Sequence, residues 1–158
     1  MRYAIAWGSG AGRVRGGYVV YCVGMKDLPD STDTLVVRTD FSDEATWTLV
    51  RSEIEDSVAY VLFVSDPDFD GLSISALTSL GQRDPTRGYM FIVDRISLTD
   101  AEHPILVLDL ADEPEPTFRV VPREVSSIDN NLSIANMDWS DFADSADADG
   151  VFRGFPGA

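Results

Sequence analysis

Residues 35–93 read LVVRTDFSDEATWTLVRSEIEDSVAYVLFVSDPDFDGLSISALTSLGQRDPTRGYMFIV, and this stretch decides the fold. Its apolar residues gather in three short runs: Leu35-Val36-Val37, Ala59–Val64 (AYVLFV) and Tyr89–Val93 (YMFIV). Continuous runs rich in β-branched and aromatic side chains predict strands buried on both faces, because a half-exposed strand would alternate. Between the first two runs, Asp40 and Ser42 suit a helix N-cap, and Asp43 and Glu44 suit a first turn, where the macrodipole favours acids. Trp47, Val50 and Ile54 then recur at i, i+3 and i+7, which gives one apolar helix face. Asp66-Pro67-Asp68-Phe69-Asp70-Gly71 reads as a loop. Ile74, Leu77 and Leu80 mark a second, shorter helix, with Gly81 placed to end it. The order β-α-β-α-β predicts a mainly parallel sheet with covering helices and right-handed crossovers.

Downstream the pattern changes. Pro104–Leu110 (PILVLDL) and Thr117–Val121 (TFRVV) flank the acidic connection Ala111-Asp112-Glu113-Pro114-Glu115-Pro116, so an antiparallel hairpin extends the sheet. Val125, Ile128, Leu132 and Ile134 suggest an irregular apolar stretch. Asp138 is placed to cap a final helix carrying Trp139, Phe142, Ala143 and Ala146. The tail Val151–Phe155 is expected to dock Phe152 and Phe155. The fold class is therefore α/β in one domain over residues 25–158, with a C-terminal helix and no internal repeat.

Residues 1–24 are of another composition. They hold three arginines, six glycines and no acid, whereas nine basic and 27 acidic residues follow from Met25 onward. Gly8-Ser9-Gly10-Ala11-Gly12 fails the phosphate-loop pattern, since no Gly-Lys-Ser/Thr closes it, and it fails the dinucleotide fingerprint. Glycines and arginines interrupt every apolar stretch, which is poor for a signal peptide. The expectation is that Met25 is the natural start, or else that residues 1–24 form a flexible extension with Tyr18–Cys22 at most an edge strand.

The net charge of −15 argues against contact with nucleic-acid phosphate or an anionic membrane, which would repel it, and favours a basic protein partner. A plain solubility charge is the other reading. One cysteine (Cys22) allows no internal disulfide, and no apolar run reaches the ~20 residues of a membrane span, so a cytoplasmic location is expected. Eleven arginines stand against one lysine (Lys26), which points to a GC-rich genome or a salt-adapted one.

Catalytic and metal-binding chemistry most often recruits histidine, cysteine or lysine, and this chain has one of each. His103, between Glu102 and Pro104, reads as a loop histidine. Gly-x-Ser-x-Gly is absent, and Gly71-Leu72-Ser73-Ile74-Ser75 lacks its second glycine. The sharpest chemical candidates are Asp40, Asp66 and Asp94. Each falls at the carboxyl end of an expected parallel strand, where open α/β sheets bind ligands. Were the first strand to lie between the other two, the three carboxylates could meet around Mg²⁺ and orient water for hydrolysis. Against this, Asp40 suits a helix cap, Asp66 a turn with Pro67, and Asp94 a pair with Arg95 or another arginine. Asp66, Asp68, Asp70 and Gly71 match the first half of a calcium loop, but Leu77 stands where the bidentate glutamate belongs.

Asn130-Asn131-Leu132-Ser133-Ile134-Ala135-Asn136-Met137-Asp138-Trp139, with Phe142-Ala143 and Asp149-Gly150-Val151-Phe152-Arg153-Gly154-Phe155, resembles an uncharacterised domain family of actinobacteria. So do Val37–Asp43 and Phe118–Pro122. The likeness spans about Thr34 to Phe155, leaves out residues 1–24, and implies a small intracellular single-domain protein without an assigned activity. Within it, Asn130, Asn131 and Asn136 can hold an irregular backbone with their amides; alternatively they form a recognition surface with Asp138 and Trp139 as anchor. Together the residues favour a non-enzymatic interaction protein, immunity-like or regulatory, binding a basic partner and needing no cofactor. The alternative is a divalent-metal hydrolase on Asp40, Asp66 and Asp94 that would use Mg²⁺. A plain structural domain without a ligand of its own is the third reading.

Overall fold

A computed structural model describes residues 27–57 and 60–156. The expected extension at residues 1–24, its edge strand at Tyr18–Cys22, and Ala59 at the head of the second apolar run lie outside the described residues.

The three apolar runs form the centre of one six-stranded sheet. Strand β1 is Thr34–Arg38, helix α1 is Glu44–Ser57, β2 is Val61–Val64, α2 is Ile74–Gly81 and β3 is Tyr89–Val93. β1 lies between β2 and β3 and is parallel to both, with Val36 opposite Phe63 on one side and Phe91 on the other. The chain therefore leaves β1 one way for β2, then crosses back over β1 to reach β3. Two right-handed crossovers in opposite directions must put α1 and α2 on opposite faces.

The packing shows this division. Trp47, Val50 and Ile54 of α1 pack with Val36, Phe91 and Val93, whereas Leu77 and Leu80 of α2 pack with Leu35, Val37, Met90 and Ile92. Odd and even positions of each strand thus feed two separate cores. Each buried Leu, Val, Ile or Phe removes enough apolar surface to contribute about 1.5–3 kcal/mol. Gly81 is the last residue of α2, as expected, but it does not take the left-handed conformation. A Cβ there would come within 2.6 Å of Leu110 Cδ2, so the glycine permits close helix–sheet approach instead of a left-handed cap.

The second half adds three strands. β4 (Ile105–Asp109) runs antiparallel to β3, β5 (Phe118–Val120) antiparallel to β4, and β6 (Val151–Phe152) parallel to β5 at the edge. The tail docks both phenylalanines as expected: Phe152 is buried, and Phe155 packs against Phe142 and Phe152 with ring centroids 5.6 and 5.0 Å away.

Helices α3 (Arg95–Thr99), α4 (Val125–Leu132) and α5 (Trp139–Ala143) complete the chain. The expected irregular stretch from Val125 is in fact helical up to Leu132. Val125, Ile128 and Leu132 have helical spacing, and the intervening serines and asparagines, poor helix formers, disguise it. The final helix ends at Ala143, before Ala146. Trp47 and Phe142 are core residues. No helix among the described residues is long and apolar enough to cross a membrane.

Candidate functional site

Two places gather charged side chains, at opposite ends of the sheet. The first is the carboxyl end of β1 and β3, where the strand order does bring Asp40 and Asp94 onto neighbouring strands. The loop after β2 folds onto this end of β1. Phe69, from the loop after β2, is buried in the α2-side core, and the Gly71 N–H donates to the Thr39 carbonyl at 2.9 Å.

Arg38 ends β1 on the α1 side and is 2% exposed. Its Nε donates to the Asp40 carbonyl (2.8 Å) and its Nη1 to Glu44 Oε2 (2.7 Å). The guanidinium lies 4.2 Å from the Phe41 ring centroid and 5.0 Å from that of Trp47. Its Nη2 has no hydrogen-bond partner, so the aromatic faces carry part of the compensation for a buried cation.

The aspartates here are all engaged. Asp40 accepts from the Ser42 backbone N–H at 2.8 Å and from the Ser42 hydroxyl, and Arg95 Nη1 lies 3.8 Å away. The Ser42 hydroxyl is the main cause that holds the Asp40 pKa below its ordinary value. Asp94 caps α3 by accepting from the Ser97 N–H (3.1 Å), while Ser97 Oγ reaches back to the Asp94 N–H (3.3 Å). Arg119 grips the same carboxylate with both ends of its fork, at 3.0 and 2.6 Å. Burial pushes the Asp94 pKa up, but these bonds and the Arg119 charge outweigh it and leave the pKa lowered. Asp66 accepts from the Asp68 N–H at the start of a short 3₁₀ turn, Pro67–Phe69. Among the described residues, no three His, Cys, Asp or Glu side chains are arranged to hold a metal ion. Asp68 and Asp70 thus form no calcium loop with Asp66, and Ser73 is the N-cap of α2, bonded to the Ala76 N–H.

His103 sits at positive φ (50°), and its Nδ1 meets the Ser97 carbonyl at 2.9 Å, so Nδ1 carries the hydrogen. It borders a cleft of about 410 Å³ with Glu53, Asp56 and Glu102. Arg153 binds Glu102, Asp147 and Asp149 together; those bonds raise the Arg153 pKa and lower those of Glu102 and Asp149.

The second place is the hairpin end. Asp109, where β4 finishes, pairs with Tyr89, where β3 begins, so the hairpin connection lies away from Asp40 and Asp94. There a groove of about 360 Å³ runs between the connection and α5, lined among others by Glu115, Phe118, Trp139, Asp144 and Asp147. The Trp139 Nε1–H donates to the Pro116 carbonyl at 3.0 Å, and Phe118 meets the indole edge-on with centroids 5.0 Å apart. Ala143, Ala146, Ala148 and Gly150 keep the groove open by being small. The Glu115 and Asp144 carboxylates have no ion-pair or hydrogen-bond partner among the described residues.

Trp139 is the one sequence candidate brought to this groove. Asp138 is the N-cap of α5 and offers its N–H to Asp141 Oδ2 at 2.8 Å. Asn131 Nδ2 donates to the Ser127 carbonyl (2.7 Å) and Asn136 Nδ2 to Asn131 Oδ1 (2.6 Å), which ties the turn after α4. The left-handed residue in that turn is Ala135, not an asparagine. Asn130 is exposed and outside the groove. Sequence reasoning missed Glu115, Asp144 and Asp147. The signal available was the three-residue recurrence of Asp138, Asp141, Asp144 and Asp147.

The chain belongs to the family described as Domain of unknown function (DUF6924), which matches residues 33–155. No curated protein matches it significantly. The matched span takes in the six strands and five α-helices of the described residues and both charged regions.

Proposed function

We propose that this protein is a non-enzymatic interaction module that captures a basic protein partner, in the cytoplasm of a GC-rich bacterium. One observation carries the reading: the distribution of unpaired charge. Arg38, Arg51, Arg83, Arg87, Arg95, Arg119 and Arg153 each stand in an ion pair with a carboxylate of this chain. What they leave over is concentrated. Residues 109–116 and 138–149, which flank the groove, hold nine acids and no base, and seven of the nine stand outside any ion pair among the described residues, Asp147 and Asp149 being held by Arg153. Such a surface attracts cations and basic patches, speeds their encounter and repels phosphate. The arginine-for-lysine bias supports the proposed origin, and the single cysteine supports a reducing location.

An immunity-like and a regulatory role share one testable property, a salt-sensitive complex with a basic partner. The full chain used as bait in low-salt native lysate is expected to retain a basic protein that elutes as NaCl rises past roughly 0.3 M, where screening shortens to a few ångströms. Recovery of only acidic or neutral proteins would overturn the reading. No observation favours the hydrolase alternative, because Asp40, Asp66 and Asp94 are each bound to their own neighbours. Calorimetric titration with Mg²⁺ and Mn²⁺ tests it directly, and saturable binding lost in Asp40→Asn would restore it.

A further inference from the structure

We infer that the groove between the β4–β5 connection and α5 is where the partner docks, and that its occupant is an arginine-bearing segment of a basic protein. This rests on the reading above and adds the site and the chemistry recognised. An arginine side chain needs a flat surface for its guanidinium face and acceptors in the plane of its fork. The groove supplies both. Trp139 is its aromatic wall, and the bond to the Pro116 carbonyl together with the edge contact from Phe118 fix the indole before any partner arrives. A pre-set ring costs little side-chain entropy on binding. Glu115 on the hairpin side and Asp144 on the helix side are carboxylates with no cation paired to them among the described residues, and Asp147 adds a third that Arg153 shares. The alanines and Gly150 leave room for a long side chain.

Asp144 itself argues for an external cation. It is the C-cap of α5, at the negative end of the helix dipole, where an acid is unfavourable and a base is preferred. No cation among the described residues pairs with it. A guanidinium beside Asp144 would satisfy the carboxylate and the helix end together. At the other end of the sheet, the same stacking-plus-carboxylate arrangement already holds Arg38 between Phe41, Trp47 and Glu44. The groove offers the same chemistry with the arginine left to come from outside.

The test is fluorescence and calorimetric titration of the full chain with a short arginine-rich peptide, its lysine counterpart and an uncharged control at low salt. Wild type is expected to bind the arginine peptide most tightly. Asp144→Asn with Glu115→Gln is expected to weaken it by about tenfold or more, and Trp139→Leu by several-fold, since each lost charge contact or cation–π contact is of that size. Asp68→Asn, on the far loop, serves as a charge control that should leave affinity within twofold. Thermal melts of every variant confirm that the fold survives. Binding that the groove variants and Asp68→Asn weaken equally would overturn the groove and leave the interaction reading standing. No binding to either basic peptide would overturn both.

Discussion

At the carboxyl end of β1 and β3, carboxylates stand beside arginines; at the hairpin end Glu115 and Asp144 have no arginine beside them among the described residues. Both regions are rich in acids, yet they do different work. Arg38, Arg95 and Arg119 turn the first region into a set of internal bonds that fix where loops and helices begin. The second region keeps two carboxylates, Glu115 and Asp144, without a partner among the described residues, in a groove walled by an aromatic ring. An acidic residue is thus no guide to function until its partners are known. At the place that fold analogy favours for ligands, where the crossovers diverge, Asp40 and Asp94 are bonded to residues of the chain itself.

The sharpest way to break this contrast is to remove the cation at its centre. Arg38→Ala deletes a buried side chain that packs on Phe41 and Trp47 and holds the Asp40 carbonyl. It is expected to cost roughly 3 kcal/mol, as loss of one partner from a buried charged site does. Arg38→Met should cost much less, because it refills the volume and removes the unpartnered Nη2. Urea denaturation of both variants measures the difference. Equal losses would show that the charge, not the packing, holds this end.

A second test uses pH. Asp94 has a lowered pKa in the folded protein, so its stabilisation is fully present above the ordinary value of 3.8 and is lost as pH falls through the folded value. The sign follows because the unfolded chain takes up the proton first. Asp94→Asn is expected to be less stable than wild type by about 2 kcal/mol at pH 7, the size of charge-assisted bonds lost from Arg119 and Ser97. The gap should close as pH drops below 3.8. A gap that stays constant from pH 7 to pH 3 would mean that the Arg119 fork contributes no charge-dependent stability.

How much of this was legible beforehand depends on the range of each interaction. Leu35–Val37 and Tyr89–Val93 announced buried strands because burial on both faces writes itself into adjacent residues. Trp47, Val50 and Ile54 announced α1 by the same local logic. Helix α3 has no such stripe: Ile96 is about half exposed and only Leu98 anchors it, so its sole sequence mark is the pairing of Asp94 with Ser97 three residues on. Asp94 was readable as a strand-end carboxylate. Its true partner, Arg119, lies on β5, two strands away, and no local pattern joins them. The groove failed for the same reason. Trp139 stood out alone, whereas Glu115 joins it only because the hairpin folds back over α5.

The smallest expected effects separate two aspartates three residues apart on one helix. Asp141 accepts the Asp138 N–H at the start of α5, where an acid also suits the dipole. Asp144 sits at the other end, where its backbone N–H donates to the Ser140 carbonyl but its carboxylate has no partner among the described residues. Asp141→Ala is therefore expected to destabilise by about 1 kcal/mol, the usual cost of a lost cap. Asp144→Ala is expected to stabilise by a few tenths of a kcal/mol at low salt, and raising the salt should erase that gain. Paired denaturation curves at low and high NaCl resolve the two. Opposite signs would mean that the chain keeps Asp144 at a small cost to its own stability, which is what a residue held for a partner requires. A loss at both positions would make Asp144 a structural residue and remove the chief internal reason for seating an arginine beside it.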